Sequence, residues 1–132
     1  MSGESLRTGK NACIPVSLPD AAATLEITPE AVAAWVRLPR DQRPRLIDCR
    51  EEEELAVCEI AGNEWFPLGT FPEAGEKLTA DSARGVVVYC HHGMRSARGA
   101  SFLRAHGVEK AFSMKGGIDA WSKLIDPEVP RY

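Results

Sequence analysis

The residues best suited to chemistry form one seven-residue segment, Cys90–Ser96, which directly follows the apolar run Val86–Tyr89. A near-continuous apolar run of this length is typical of a strand buried on both faces of a parallel sheet. Ligand sites in open α/β sheets lie at the carboxyl ends of such strands. We therefore expect Cys90 at a functional edge of the sheet, just before a helix.

The neighbours of Cys90 favour a thiolate. A free cysteine has a pKa of about 8.5, and helix N-termini and nearby cations lower it. Gly93 lets the chain turn so that backbone N–H groups point inward, and Arg95 adds a permanent cation with several donors. We predict that Cys90 is a nucleophile and that Arg95 offsets the developing negative charge. The alternative, a cysteine that only packs, does not require these neighbours.

The other residues of the segment are predicted to shape the loop and to contact substrates. They are His91, His92, Gly93, Met94 and Ser96. Histidine as a residue type can carry a positive charge near neutral pH, so a contribution of the two histidines to local positive potential and a purely structural role both stay open. Adjacent histidines in a tight loop are expected to point apart, so no metal site is predicted. Met94 is expected either to form an apolar wall for an acceptor or to pack.

The remaining cysteines, Cys13, Cys49 and Cys58, are widely spaced. Because no C-x-x-C pair exists, a zinc ribbon or a thioredoxin-like redox centre is poorly supported. We expect reduced thiols, with Cys49 and Cys58 packed in the core. A role for either as a resolving thiol for Cys90 is the less favoured alternative.

Short strands and helices alternate along the chain, which predicts an α/β fold with a mainly parallel sheet. The predicted strands are Leu25–Ile27, Leu46–Cys49, Asn63–Leu68, Val86–Tyr89 and Val108–Ser113. Predicted helices begin after the N-cap Thr28 and near Glu51, and cover Glu73–Ala80, Ser96–His106 and Ile118–Leu124. The acidic run Glu51–Glu54 is interpreted as a solvated helix start, favoured by the helix dipole. Residues 1–24 are predicted to be a flexible or extended lead-in, and residues 25–132 a single domain.

Three segments together resemble the rhodanese family. Cys90–Ser96 looks like its active-site loop, Leu46–Glu51 like its L-I-D-V-R-E segment, and Lys115–Trp121 like its L-x-G-G-I-x-A-W segment. The resemblance implies a rhodanese-like domain with a five-stranded, mainly parallel sheet and helices on both faces. It also implies a sulfurtransferase in which thiosulfate or a persulfide gives its sulfane sulfur to Cys90. A thiol, cyanide or protein acceptor then removes the sulfur, and no cofactor beyond this covalent persulfide is expected.

Two further features follow from the resemblance. In the family, the positions of Asp48 and Arg50 lie beside the active loop and help to hold it, so we predict a supporting ion pair or hydrogen bond. The segment Cys58–Asn63 departs from the family's G-H-I pattern. The departure leaves the local loop geometry open without changing the chemistry expected at Cys90.

Two other functions stay open. The spacing from Cys90 to Arg95 is C-x4-R, whereas phosphatases of the same fold use a wider C-x5-R loop, so a phosphatase or arsenate reductase is less favoured. The tail Ile125–Tyr132 resembles the endings of rhodanese domains attached to adenylating enzymes that activate sulfur-carrier proteins. This favours, as the main alternative, a sulfur-carrier or docking module in cofactor biosynthesis with little small-molecule turnover.

Length, charge and apolar content exclude several kinds of partner and location for this protein. The chain has 132 residues and a net charge of −3, which favours neither nucleic acid nor an anionic membrane surface as a partner. No apolar run approaches the ~20 residues of a membrane span, and the first ten residues lack a signal-peptide core. We expect a cytoplasmic protein. The physiological donor and acceptor, the pathway and the oligomeric state do not follow from the sequence.

Overall fold

The computed structural model describes residues 18–132. Its five strands form one sheet in the order β1-β5-β4-β2-β3, and every pairing between neighbours is parallel. The strands are β1 Glu26–Ile27, β2 Arg45–Asp48, β3 Glu64–Trp65, β4 Val86–Tyr89 and β5 Ala111–Met114. The predicted five-stranded α/β architecture is confirmed, and β4, the most apolar strand, lies at the centre of the sheet.

Helices cover both faces of this sheet. They are α1 Pro29–Val36, α2 Glu52–Val57, α3 Gly75–Thr79, α4 Met94–Ala105 and α5 Gly117–Leu124, with one 3₁₀ turn at Leu68–Thr70. Side chains alternate across β4, so that Val87 packs with the tryptophans of α1 and α5 while Val88 packs with Leu103 of α4. Cys90 lies in the second of these two cores.

Helix α4 begins two residues earlier than the predicted start at Ser96. Gly93 adopts a φ of +109° and serves as the N-cap, so the chain turns directly into the helix at Met94. At the other end, Val108 donates its N–H to the carbonyl of Leu103 and completes the helix terminus. For that reason β5 begins at Ala111 and not at the predicted Val108.

The part of the predicted lead-in that the structure describes packs against the domain. Leu18 and Ala21 contact the core formed with α1 and α5. The guanidinium of Arg104 donates to the carbonyls of Ala21 and Thr24 as well as to that of Ala111 in β5. Residues 18–24 thus contact the domain, and the flexible or extended lead-in predicted for residues 1–24 stays a prediction. Residues 1–17, with Cys13, lie outside the described residues. Within residues 18–132, no helix is long and apolar enough to cross a bilayer.

Candidate active site

The sulfur of Cys90 accepts backbone hydrogen bonds from the turn that follows β4. The N–H groups of Gly93 and Ser96 donate to Sγ at 3.0 and 3.4 Å. The φ of Gly93 lies in the left-handed region, which glycine adopts without the penalty that a side chain brings. The turn and the first residues of α4 thus form the cradle predicted for a thiolate.

A pair of serines extends this cradle. Oγ of Ser96 lies 3.4 Å from the sulfur of Cys90 and 2.7 Å from Oγ of Ser113 in β5. When the sulfur is ionised, the Ser96 hydroxyl is the donor to it, and the Ser113 hydroxyl can donate to Ser96 in turn. Sequence reasoning missed Ser113. The available signal was a hydroxyl inside a strand whose four residues are all buried.

Cys49 is the direct neighbour of Cys90 across the sheet. Asp48 is in register with Tyr89, and the N–H of Cys49 donates to the carbonyl of Tyr89 at 3.1 Å, which places the two cysteines side by side. The Cys49 thiol forms a hydrogen bond with Cys90. Cys49 is fully buried and packs in the core, as predicted, and its thiol in addition serves as a donor to Cys90.

These donors decide which of the two thiols ionises. The hydrogen bond from Cys49, followed by those from Ser96 and Gly93, lowers the pKa of Cys90 to about 4 in spite of burial. The same hydrogen bond and burial raise the pKa of Cys49 far above its ordinary value. Cys90 is therefore a thiolate at neutral pH, and Cys49 keeps its proton.

Arg95 is held by a carboxylate that sequence reasoning had assigned to solvent. Its Nη1 and Nη2 donate to the two oxygens of Glu54 at 2.6 and 2.9 Å. This hydrogen bonding lowers the pKa of Glu54 to about 2 and raises the pKa of Arg95. The interpretation of Glu54 as part of a solvated helix face is therefore wrong. The cation predicted beside Cys90 is present, but its charge is offset by Glu54.

Tyr132 joins several parts of the site. Its hydroxyl donates to Glu54 at 2.8 Å and accepts from Nη1 of Arg50 at 2.7 Å. Its ring stacks on His91 with centroids 3.8 Å apart and planes 8° apart. No local sequence signal pointed to Tyr132, because its partners come from helix α2 and from two separate loops.

The two loop histidines lie against each other. The ring centroids of His91 and His92 are 3.8 Å apart at an interplanar angle of 30°, so the expectation that they point apart is wrong. Stacking of Tyr132 on His91 gives the physical reason, since His91 lies between two rings. Possible ligand atoms of His91, His92 and Asp119 lie within 4.8 Å of one another. The Asp119 carboxylate already pairs with Lys123 and Arg131, and the absence of a metal stays a prediction.

Asp48 and Arg50 form the expected ion pair at the end of β2. Both side chains are fully buried, and Nη2 of Arg50 lies 2.7 Å from Oδ2 of Asp48. The same guanidinium nitrogen donates to the carbonyl of Cys58 at 2.6 Å. The hydroxyl of Tyr89 accepts from the N–H of Ile60 at 3.2 Å. These bonds fix the segment that departs from the family pattern, while the supporting role of the pair in function stays a prediction.

The N-terminus of α5 docks on the active loop. Ile118 donates its N–H to the carbonyl of Cys90 at 2.8 Å, and Asp119 donates to that of His91 at 3.1 Å. A side chain at Gly117, whose φ is +62°, would collide with these two carbonyls. A glycine at position 117 is therefore needed for the helix to approach the loop.

A small pocket opens on the loop. Its volume is about 330 Å³, and it is lined by Cys90, His91, His92, Met94, Arg95 and Arg98. Met94 is 77% exposed at its rim. Of the predicted residues, the structure thus places Cys90, both histidines, Met94 and Arg95 around one pocket, while Asp48, Arg50 and Ser96 lie buried behind it. The arrangement suits attack by a thiolate on a small electrophile.

The chain belongs to the rhodanese-like family: the family model described as "Rhodanese-like domain" matches residues 30–124. The thiosulfate sulfurtransferase GlpE of Haemophilus influenzae is 34% identical over 102 residues, which are 77% of this chain and 91% of GlpE. The predicted family is confirmed, and sulfurtransferases are among its related proteins.

Other relatives are longer proteins. The chloroplastic Rhodanese-like/PpiC domain-containing protein 12 of Arabidopsis thaliana is 34% identical over 67% of this chain and 30% of its own length. The probable adenylyltransferase/sulfurtransferase MoeZ of Mycobacterium tuberculosis is 33% identical over 80% of this chain and 26% of its own length. The chain therefore spans under a third of each of these two relatives.

Solved structures agree on the fold. A rhodanese-related protein from Thermoplasma volcanium matches with a TM-score of 0.68 at 24% identity, covering 83% of this chain and all of that one. The human single-domain sulfurtransferase TSTD1 matches with a TM-score of 0.64 at 20% identity, covering 76% of this chain and 97% of that one. The rhodanese-like fold is confirmed.

Proposed function

We propose that the protein is a sulfurtransferase that moves a sulfane sulfur from thiosulfate or a persulfide donor to a thiol, cyanide or protein acceptor through a persulfide on Cys90. The observation that carries the proposal is the Cys90 sulfur, hydrogen-bonded by Cys49, Gly93 and Ser96 and open to a small pocket. A thiolate held in this way is both ionised at neutral pH and fixed for attack.

Transfer takes two steps. The Cys90 thiolate attacks the sulfane sulfur of thiosulfate, a new S–S bond forms, and sulfite leaves with the electron pair of the broken S–S bond. An acceptor such as cyanide then attacks the outer sulfur of the persulfide, so that thiocyanate leaves and the Cys90 thiolate returns. The N–H groups that hold the thiolate are also placed to hold negative charge in the persulfide state. Two half-reactions predict ping-pong kinetics.

The test is cyanide-dependent thiocyanate formation with thiosulfate as donor. We expect turnover in the natural protein and a loss of more than about 1000-fold in Cys90→Ser, because the attacking atom itself is removed. Cys58→Ser is the matched control, since Cys58 belongs to the core on the other face of the sheet, and it should retain activity. Turnover that survives in Cys90→Ser would contradict the proposal.

A second candidate is a sulfur-carrier or docking module that passes sulfur to a protein partner. Its support is the likeness to MoeZ, in which a rhodanese-like segment belongs to a longer adenylyltransferase/sulfurtransferase. Slow turnover with cyanide or small thiols, together with fast transfer of the Cys90 sulfur to a protein acceptor, would favour this candidate. Hydrolysis of a phosphate ester or reduction of arsenate that depends on Cys90 would instead favour a phosphatase or an arsenate reductase, the less favoured functions of the sequence analysis.

A further inference from the structure

The charge at the pocket is smaller than the number of arginines suggests. Arg95, which lines the pocket, is held by both oxygens of Glu54. Arg50, deeper in the molecule, is paired with Asp48. Because a carboxylate at hydrogen-bond distance offsets most of the field of a guanidinium, each pair contributes little net positive charge at the thiolate. Arg98 lines the same pocket from an exposed position.

Glu54 is fixed independently of Arg95. Its side chain accepts the N–H of Glu51 at 3.0 Å, which forms a capping box at the start of α2, and it accepts the hydroxyl of Tyr132 at 2.8 Å. With its pKa near 2, the carboxylate stays ionised at every pH at which the protein would work. The offset of Arg95 is therefore a permanent property of the site.

We propose that Glu54 determines which sulfur donors the site accepts, so that donors with a single negative charge, such as alkyl thiosulfonates and persulfides of uncharged thiols, are preferred over the thiosulfate dianion. This inference rests on the proposed sulfurtransferase function. Its physical reason is that a dianion must approach a thiolate in a pocket whose half-buried arginine, Arg95, is already paired with a carboxylate. The second pocket arginine, Arg98, is exposed, so solvent and salt screen its charge.

Methanethiosulfonate and thiosulfate form a matched pair of donors. A methyl group in the first replaces one charged oxygen of the second, so shape is kept while one negative charge is removed. With methanethiosulfonate, the Cys90 thiolate takes the terminal sulfur and methanesulfinate leaves with the electron pair; with thiosulfate, sulfite leaves in the same way. In a ping-pong reaction, kcat/KM for the donor reports this first half-reaction.

The experiment measures kcat/KM for both donors, with cyanide as acceptor, in the natural protein, in Glu54→Gln and in Glu53→Gln. We expect the natural protein to prefer methanethiosulfonate. Glu54→Gln should shift the ratio toward thiosulfate by about tenfold, as expected when one unit charge is removed at close range. Glu53→Gln removes the same charge from an exposed position of the same helix and should leave the ratio unchanged.

The double variant Glu54→Gln/Arg95→Gln keeps the net charge of the pair and keeps the test valid if Glu54→Gln does not fold. Its donor ratio should stay within about twofold of the natural one, because the field at the thiolate is nearly the same. A thiosulfate preference in the natural protein, a ratio that Glu54→Gln does not move, or a large shift in the double variant would overturn the inference and leave the proposed function standing. If neither donor transfers sulfur to Cys90 of the natural protein, both the inference about Glu54 and the proposed sulfurtransferase function would be overturned.

Discussion

The carboxyl ends of β2 and β4 lie side by side, and each is followed at once by a cysteine. Cys49 and Cys90 are neighbours across the sheet, both are buried, and both pack in the same core. Yet Cys90 is a thiolate and Cys49 is a thiol. Burial alone would keep both neutral, since it disfavours the charged form.

The segments after the two strands explain the difference. After Cys90, the left-handed Gly93 turns the chain into α4, so that backbone N–H groups point at the sulfur. After Cys49, the side chain of Arg50 folds back onto Asp48, and the Asp48 carboxylate balances its positive charge. The ionisation of Cys90 thus depends on the donors around its sulfur, from Cys49 and from the segment that follows Cys90, more than on the number of arginines nearby. The predictions below alter each side of this comparison in turn.

The largest effect is expected at the end of β2. Asp48→Asn leaves the buried guanidinium of Arg50 without its counter-charge, and breaking a buried ion pair in this way costs about 3–5 kcal/mol. The free energy of unfolding from urea titration measures the loss. Asp41→Asn, at an exposed position, is the control and should change stability by less than about 0.5 kcal/mol. Equal stability of the two variants would show that the pair does not hold the end of β2.

The next effect removes the link between the two cysteines. Cys49→Val deletes the thiol that donates to the Cys90 thiolate, so the charged form loses a partner and the pKa of Cys90 should rise. A hydrogen bond to a charged group is worth about 1.5–3 kcal/mol, or about one to two pH units. The pH dependence of iodoacetamide alkylation measures the pKa.

Two further variants sharpen this measurement. Cys49→Ser keeps a donor at the same position and should hold the pKa of Cys90 closer to its natural value than Cys49→Val does. Cys58→Val removes a buried thiol from the other core and should not move it. A Cys90 pKa that is the same in Cys49→Val as in the natural protein would show that the Ser96 hydroxyl and the backbone donors ionise the sulfur without Cys49.

A smaller effect is expected from the turn after β4. Gly93→Ala places a side chain at a φ of +109°, and left-handed backbone costs a residue with a side chain about 1–2 kcal/mol. If the turn relaxes, its N–H moves away from the sulfur and the pKa of Cys90 rises, so alkylation of Cys90 at pH 4, near its natural pKa, should slow. Gly69→Ala, where an added Cβ meets open space, is the control. An unchanged alkylation rate in Gly93→Ala would mean that this N–H does not matter for ionisation.

The sequence predicted the parts of the site that are local along the chain. Cys90, Gly93 and the helix that follows them lie within a few residues, so strand pattern and residue type were enough to place them. The alternation of short strands and helices likewise predicted the parallel sheet. The apolar residues of β4 predicted that this strand is buried on both faces. The start of α4 was missed by two residues because the N-cap position depends on the backbone angles of Gly93.

The parts that were missed depend on contacts between distant segments. Glu54 binds Arg95, which lies 41 residues further along the chain. Nothing in the sequence distinguishes Glu54 from the three other acids of the run Glu51–Glu54. Tyr132 reaches Glu54 across 78 residues. For Cys49 the sequence predicts only packing, because its contact with Cys90 depends on the register between β2 and β4 and not on its own neighbours in the chain.

The central claim is that sulfur is carried on Cys90 and not on its neighbour, and intact-mass analysis with peptide mapping tests it most directly. After incubation with methanethiosulfonate or thiosulfate and removal of excess donor, we predict one added sulfur atom, about 32 Da, on the peptide that contains Cys90. Cyanide should remove it and release thiocyanate. No added mass with either donor, or a sulfur that maps to Cys49 and persists in Cys90→Ser, would contradict the account.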